Sequence, residues 1–325
     1  MERNSINSIF IATSSFDQST WEPVATHLHE RGYETVIYEA DKVANGMKDF
    51  NIHIGRTGIT VNYLGNNIDF DNISASWYRR PNIFSPWLTD KSKQIALDNE
   101  RKDIQESIWN LIEERKWLNS PQHIHRAEQK LSQLALANSL GFEIPITVST
   151  NKWDEINEYL PNQIILKMSK GVLYEGDAIK CLYTTILKNN PNDLPINSNP
   201  FPGFWQSYIE KRREWRITVV GNHFFDATIY TSEKAKDDWR RPEVFDDVTY
   251  KKEDFPDTMK DKCLDFLRAF NLRYGAFDFI EDNDGRIIFL ECNPNGQYGW
   301  LEQILHFPIS KTIANTLIEI SSNNL

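Results

Sequence analysis

Three oxygen-bearing side chains near the carboxyl end, Asp278, Glu291 and Asn293, are spaced so that a hairpin would gather them. Two apolar runs, Gly275–Ile280 and Ile287–Leu290, flank the acidic stretch EDNDGR, with Asp284-Gly285 at its tip. Asp-Gly between apolar runs is a strong short-range hairpin signal. Pairing across that turn brings Asp278 and Glu291 to one end. Asn293 follows Glu291 by two residues and points the same way along an extended chain. Two carboxylates and an amide oxygen, with no lysine among them, make a hard-oxygen set of the kind Mg²⁺ accepts, usually with phosphate oxygens completing the shell. On spacing alone an ordinary acidic hairpin with a solvated tip fits as well.

Other residues carry charge where charge needs a reason. Lys167 closes the apolar strand Ile164–Leu166, so it lies on a wet face or meets an anion; phosphate suits an ammonium with three donors. Ser169 and Gly171 follow it and suit a backbone-amide loop over phosphates. Arg79 and Arg80 sit in WYRRP, either as a stacked, solvated cation pair or as an anion contact facing a cleft. The aromatic run Trp205–Ile209, which includes Gln206, reads as an adenine slot with base edges met by backbone groups around Tyr208 and Ile209. Glu214 can accept from ribose hydroxyls, with Arg216 at strand spacing on the same face; the alternative is a charged strand edge with cross-strand pairs. No histidine stands out as a general base.

Asp278 followed across the hairpin by FLECNPNG resembles the metal-binding end of the ATP-grasp ligases. The longer run NPNGQYGWLE, from Asn293 to Glu302, looks like the graspetide (microviridin-type) peptide macrocyclases, as do WYRRP and DWRR. The family pattern Q-x-x-I-x-x-R-R-E-x-R-x-x-V-V-G also fits from Gln206 to Gly221. The resemblance implies ATP and Mg²⁺ as cofactors, with Asp278, Glu291 and Asn293 as metal ligands. It further implies that Lys130 and Lys167 hold phosphates, and that Arg216 and Arg240 orient an acyl phosphate. Arg79, Arg80, Arg240 and Glu175 are then substrate contacts, Glu175 in a hairpin that grips the leader. The implied partner is a ribosomal precursor peptide with leader and core, whose Asp or Glu side chains are joined to Lys, Ser or Thr; the family also admits a homodimer. One departure is Ala276, where many ATP-grasp ligases carry an arginine two residues before the first metal Asp. The arginine role must then lie at Arg216 or Arg240.

These residues require a large α/β (α+β) scaffold. The resemblance makes it an ATP-grasp fold behind an N-terminal parallel-sheet pre-ATP-grasp domain. The expected divisions are residues 1–120, 121–205 and 206–325, and a chain of 325 residues is long enough for them. A strand at Ser8–Ala12, a helix over Trp21–Gly32 and a strand at Tyr33–Glu39 predict a β-α-β opening and a parallel sheet. Hairpins are expected around Gly65-Asn66, Glu175-Gly176 and Gly221-Asn222. Helices are expected over Thr89–Leu118, around Leu131–Ala137 with Gly141 as cap, over Phe255–Asn271 and over Leu301–Ser321; Pro121 is expected to stop the long one. Lys188–Phe204 reads as an exposed loop.

A net charge of −10, from 36 basic and 46 acidic residues, argues against nucleic acid as the main partner. Three scattered cysteines, Cys181, Cys263 and Cys292, with no metal-type spacing, suit a reduced, cytoplasmic protein. No run approaches membrane-spanning length. Two rival functions remain. One is a small-molecule or protein-tail ligase resembling the glutamate-adding ATP-grasp enzymes. The other is a nucleotide-binding module without catalysis.

Overall fold

Alternation in the first strand explains how one sheet feeds two cores. β1 (Ser8–Thr13) sends Ile9 and Ile11 to one side and Phe10 and Ala12 to the other, all fully buried. This computed structural model describes residues 8–56, 58–83, 91–160, 162–167, 172–175, 178–181, 185–187, 203–232 and 247–323. After β1 come α1 (Gln18–His29), β2 (Glu34–Glu39) and α2 (Ala40–Ala44). An antiparallel meander follows, of β3 (Phe50–Gly55), β4 (Gly58–Tyr63) and β5 (Asn66–Ile68). Then come β6 (Ile73–Tyr78), α3 (Lys91–Trp109) and β7 (Trp117–Leu118). The sheet runs β2-β1-β6-β7 and is parallel throughout, as the β-α-β opening predicts. The helix expected to reach Leu118 stops at Trp109, because Trp117 and Leu118 extend beside Ser76 and Trp77 as the sheet's edge. Phe10, Tyr38, Trp109 and Trp117 meet on the meander side.

Pro121 opens a helix instead of ending one: α4 (Pro121–Ala127) carries it in the first turn, where a missing N–H costs nothing. Next are α5 (Lys130–Ser139), β8 (Thr147–Thr150), α6 (Trp153–Tyr159) and β9 (Ile164–Lys167). β10 (Val172–Glu175) pairs with β11 (Ala178–Cys181) as the expected hairpin. With β12 (Thr185–Leu187) and β13 (Gly203–Ser207), an antiparallel sheet forms in the order β12-β9-β13-β8. Ile156, Leu160, Ile164, Leu166 and Trp205 fill its core. Most of the loop expected over Lys188–Phe204 lies outside the described residues.

The sheet that carries the opening hairpin is larger. It contains β14 (Lys211–Val220), β15 (His223–Thr231) and β16 (Val248–Lys252), then, beyond α7 (Asp257–Ala269), β17 (Tyr274–Asp282) and β18 (Ile287–Asn293). Its order is β16-β15-β14-β17-β18, all antiparallel. Trp215, Ile217, Phe277, Phe279 and Phe289 pack on one face under α7. Gly285 closes the β17–β18 turn with φ +83, a left-handed conformation that glycine adopts without strain.

The single closing helix expected over Leu301–Ser321 is two: α8 (Gly299–Leu305) and α9 (Ile309–Ser322). His306 turns left-handed at φ 50 and Pro308 cannot continue a helix, so the break is local. α9 lays Ile309, Ile313, Leu317 and Ile320 into one core with Ile9, Ile11, Val24, Leu28 and Trp77. The end of the chain thus covers a face of its first sheet. Truncating fully buried Leu317 to alanine would cost about 3 kcal/mol.

Candidate active site

A bulge aims the first candidate ligand. Along β17, Phe277 and Phe279 enter the core, so Asp278 faces the other way. On β18, Phe289 is in that core, and strict alternation would send Glu291 there too. The register shifts instead: Phe279 pairs with Phe289, but Asp278 pairs with Glu291, leaving Leu290 extra. The extra residue swaps faces, so that Cys292 is buried while Glu291 and Asn293 join Asp278.

The three meet directly. Asn293 Nδ2 donates to Asp278 Oδ2 at 3.1 Å and to Glu291 Oε1 at 3.3 Å. The amide therefore presents its N–H group, not the expected oxygen, because two neighbouring carboxylates call for donors. Cations also sit here. Lys130, the first residue of α5, places Nζ 3.1 Å from Glu291 Oε2. Arg216 Nη1 lies 2.7 Å from both oxygens of Asp278. Burial alone would lower the Arg216 pKa, but the charge and hydrogen bonds of Asp278 outweigh it and hold it above its usual value. Arg216 Nε is buried without a partner among the described residues, so a donor remains for a ligand.

Among the described residues no cluster of three or more His, Cys, Asp or Glu side chains could hold a metal ion. Two carboxylates plus an amide that can turn its oxygen inward fit Mg²⁺ on one condition: phosphate oxygens and water must supply the rest of the octahedron. Ala276 pairs with Asn293, and a Cβ on Gly296 would come within 2.6 Å of the Ala276 Cβ. An arginine at 276 has no room there. Arg216, on the neighbouring strand opposite Asp278, brings a guanidinium to the same carboxylate.

The expected nucleotide contacts gather around the junction of β13 and β14. Gln206 is buried, donates from Nε2 to Thr147 Oγ1 at 2.9 Å, and leaves Oε1 buried with no partner among the described residues. An orphaned acceptor there fits an exocyclic amine such as that of adenine. Tyr208 donates its backbone N–H to the Gln163 carbonyl at 2.9 Å. Ile209 follows before β14 begins. Glu214 is paired with Lys211. Lys167 ends β9, half-buried, with Phe204 of β13 as its register partner. Glu175 ends β10 at the hairpin turn. Ser169, Arg240 and the DWRR motif lie outside the described residues.

The adjacent arginines of WYRRP separate. Arg79 was expected to contact substrate, but it is 1% exposed and its guanidinium is used inside the fold. Its Nε donates to Asp17 Oδ2 at 2.5 Å, Nη2 to Asp17 Oδ1 at 3.3 Å, and Nη1 to the Gly296 carbonyl at 3.0 Å. The Trp77 and Tyr298 rings flank it at 5.9 and 5.5 Å. Arg80 is half-buried and left-handed at φ 50, and burial together with the Arg79 charge lowers its pKa. It remains the candidate anion contact of the pair.

Sequence reasoning missed the residues that hold the loop after Asn293. Asn119 Nδ2 donates to the Pro294 carbonyl at 2.8 Å, and Tyr274 Oη to that of Gly296 at 2.7 Å. Arg216 Nη2 reaches the Gln297 carbonyl at 3.1 Å. The NPNGQ motif was the signal for these anchors, since a tight turn exposes carbonyls that something must satisfy.

Residues 8–125 match the family model described as the MvdD pre-ATP grasp domain. A RiPP-associated ATP-grasp ligase from Chryseobacterium gregarium, solved with ADP and a leader and core peptide, superposes with a TM-score of 0.82 at 25% identity, over 96% of this chain and 97% of that one. The macrocyclase MdnC from Microcystis aeruginosa, bound with precursor peptide MdnA, gives 0.80 at 25% identity over 96% and 99%. The ATP-grasp ligase PsnB, complexed with minimal precursor, Mg and ADP, gives 0.72 over 99% of each chain; at 19% identity this speaks to the fold alone. No curated protein sequence matches the chain.

Proposed function

We propose, for a chain that belongs with the ATP-grasp ligases of the RiPP macrocyclase type, an ADP-forming peptide ligase. It activates Asp or Glu side chains of a ribosomal precursor peptide as acyl phosphates. It then joins them to Lys amines or Ser/Thr hydroxyls, closing macrolactam or macrolactone rings. The observation that carries this reading is the meeting of Asp278, Glu291 and Asn293 beside Lys130 and Arg216. Support also comes from relatives solved with ADP and with precursor peptides.

Asp278, Glu291 and Asn293 would hold Mg²⁺, which when bound neutralises phosphate charge and orients the oxygens for transfer. Lys130 exchanges the Glu291 carboxylate for a phosphate oxygen, and Lys167 holds another. Gln206 Oε1 accepts from the adenine amine, backbone groups of Tyr208 and Ile209 meet the base edge, and Glu214 takes the ribose hydroxyls. Ser169 belongs to the amide loop over the phosphates. A substrate carboxylate oxygen attacks the γ-phosphorus; the bond to the bridging oxygen breaks and ADP leaves. Arg216 and Arg240 face the acyl phosphate, whose charge they stabilise. The amine or hydroxyl then adds to the acyl carbon, inorganic phosphate departs, and the nucleophile's proton goes to phosphate or solvent. Arg80 and Glu175 contact the peptide. The reading includes a cytoplasmic setting and a homodimer. No described helix is long and apolar enough to cross a membrane.

The test is mass spectrometry of a leader-bearing, Thr- and Glu/Asp-rich peptide after incubation with the protein, ATP and Mg²⁺. Loss of one water per ring, with matching ADP release, is expected. Added glutamate masses, or ADP release without a changed peptide, would replace this reading.

A further inference from the structure

Arg79, one residue beyond β6, is the most deeply buried charged side chain among the described residues, and it reaches the loop that follows Asn293. We propose that Arg79 is a positioning residue for the metal site: it forks Asp17 to the Gly296 carbonyl and thereby fixes the turn after β18. The inference rests on the reading of Asp278, Glu291 and Asn293 as metal ligands.

The geometry is that of a strut. Asp17 lies in the turn between β1 and α1, and its carboxylate takes two donors from Arg79 while Oδ1 also accepts from Thr20 Oγ1 at 3.3 Å. Such a fork fixes the guanidinium plane as well as its position. The remaining Nη1 reaches a carbonyl three residues beyond Asn293. Tyr298, one face of the arginine's slot, donates its hydroxyl to the Thr20 carbonyl at 3.2 Å. The turn is thus tied at Gly296 and at Tyr298 to the segment that runs from Asp17 to Thr20 at the start of α1.

The turn has little room to adapt. Gly296 lies so close to the Asn293 Cβ and Arg216 Nη2 that an added Cβ would sit 3.1 and 3.2 Å from them. Gly296 also donates its N–H to the Asn293 carbonyl at 3.1 Å, and the next carbonyl, of Gln297, accepts from Arg216 Nη2, so a shift of the Gly296 peptide is felt at Asn293 and at the guanidinium on Asp278. Orienting partners of this kind typically change metal affinity by about 10–100-fold when removed.

The experiment is Arg79→Lys, which keeps the charge and the Asp17 pair but cannot fork. Mn²⁺ binding is read by its paramagnetic resonance signal in the presence of ADP, alongside the Mg²⁺ dependence of ADP release per folded molecule. We expect half-saturating Mn²⁺ and Mg²⁺ to rise by about tenfold, with KM for ATP unchanged. An arginine that serves folding alone would lower the melting temperature and leave both half-saturations as they were, and that result overturns the inference. If Arg79→Lys yields no folded protein, Tyr274→Phe is read the same way, since it removes the other donor to Gly296 with no change of charge. A raised half-saturation supports the strut and an unchanged one sinks it. Wild-type protein that binds no Mn²⁺ with ADP defeats the metal-site reading itself, before either variant is compared.

Discussion

Two arginines of β14 face two carboxylates of β17, and the two pairs have different fates. Arg213 lies opposite Glu281 and Arg216 opposite Asp278. Around Glu281 everything is closed. Arg213 Nε reaches it at 2.7 Å, Trp215 Nε1 at 3.0 Å and Arg212 Nη1 at 3.4 Å, while Glu253 takes the other end of Arg213 and the Tyr230 hydroxyl. Its side chain is 6% exposed. Asp278 and Glu291 are 23% and 22% exposed, and their donors include Lys130, itself 26% exposed at the end of a long flexible stem. A saturated network specifies structure, whereas a partly open one keeps acceptor capacity for something that arrives. The difference lies in the surroundings, not in the residue types.

That contrast can be broken at either end. Asp278→Asn and Glu291→Gln should each reduce ADP release per folded molecule by on the order of 10³-fold, Asp278→Asn also losing stability because Arg216 keeps its buried charge without the carboxylate; steady-state turnover within tenfold of wild type would remove them from the chemistry. Lys130→Met should lower kcat/KM for ATP by on the order of 10²-fold. Because its ion pair is partly solvated, the same variant should shift unfolding free energy by less than about 1 kcal/mol, which denaturant titration measures. Arg216→Met leaves a half-buried carboxylate uncompensated and should cost about 3 kcal/mol; saturating Mg²⁺ and nucleotide should recover part of that loss in a thermal melt. Glu281→Gln should cost about 2 kcal/mol of stability and leave turnover per folded molecule unchanged. A turnover defect there would show that the closed pair also serves the reaction.

Much of the scaffold was legible because it follows local rules. The β-α-β opening and the Asp-Gly turn needed only periodicity and turn chemistry, which bring Asp278 and Glu291 to one end of the hairpin but do not by themselves pair them. What stayed hidden depends on distant partners. Leu290 looks like any strand residue; the bulge at it shows only when Phe289 and Cys292 are both found in one core. Arg79 and Arg80 are chemically identical in the sequence, and only the burial of Asp17 and Gly296 beside Arg79 tells them apart. Trp117 and Leu118 continue a helical pattern, yet an open sheet edge captured them. Pro121 as helix starter and His306 as helix breaker are the two boundaries where local signals pointed both ways.

Cys292 stands between Glu291 and Asn293, 1% exposed, and burial pushes its thiol pKa well up. Only the thiolate reacts with alkylating reagents, so this sulfur stays silent while β18 lies against the aromatic layer under α7. In a background with Cys181→Ser and Cys263→Ala, the rate of its labelling becomes a stopwatch for how often the hairpin lifts away. A nucleotide that tightens the hairpin would slow that stopwatch without any product being formed.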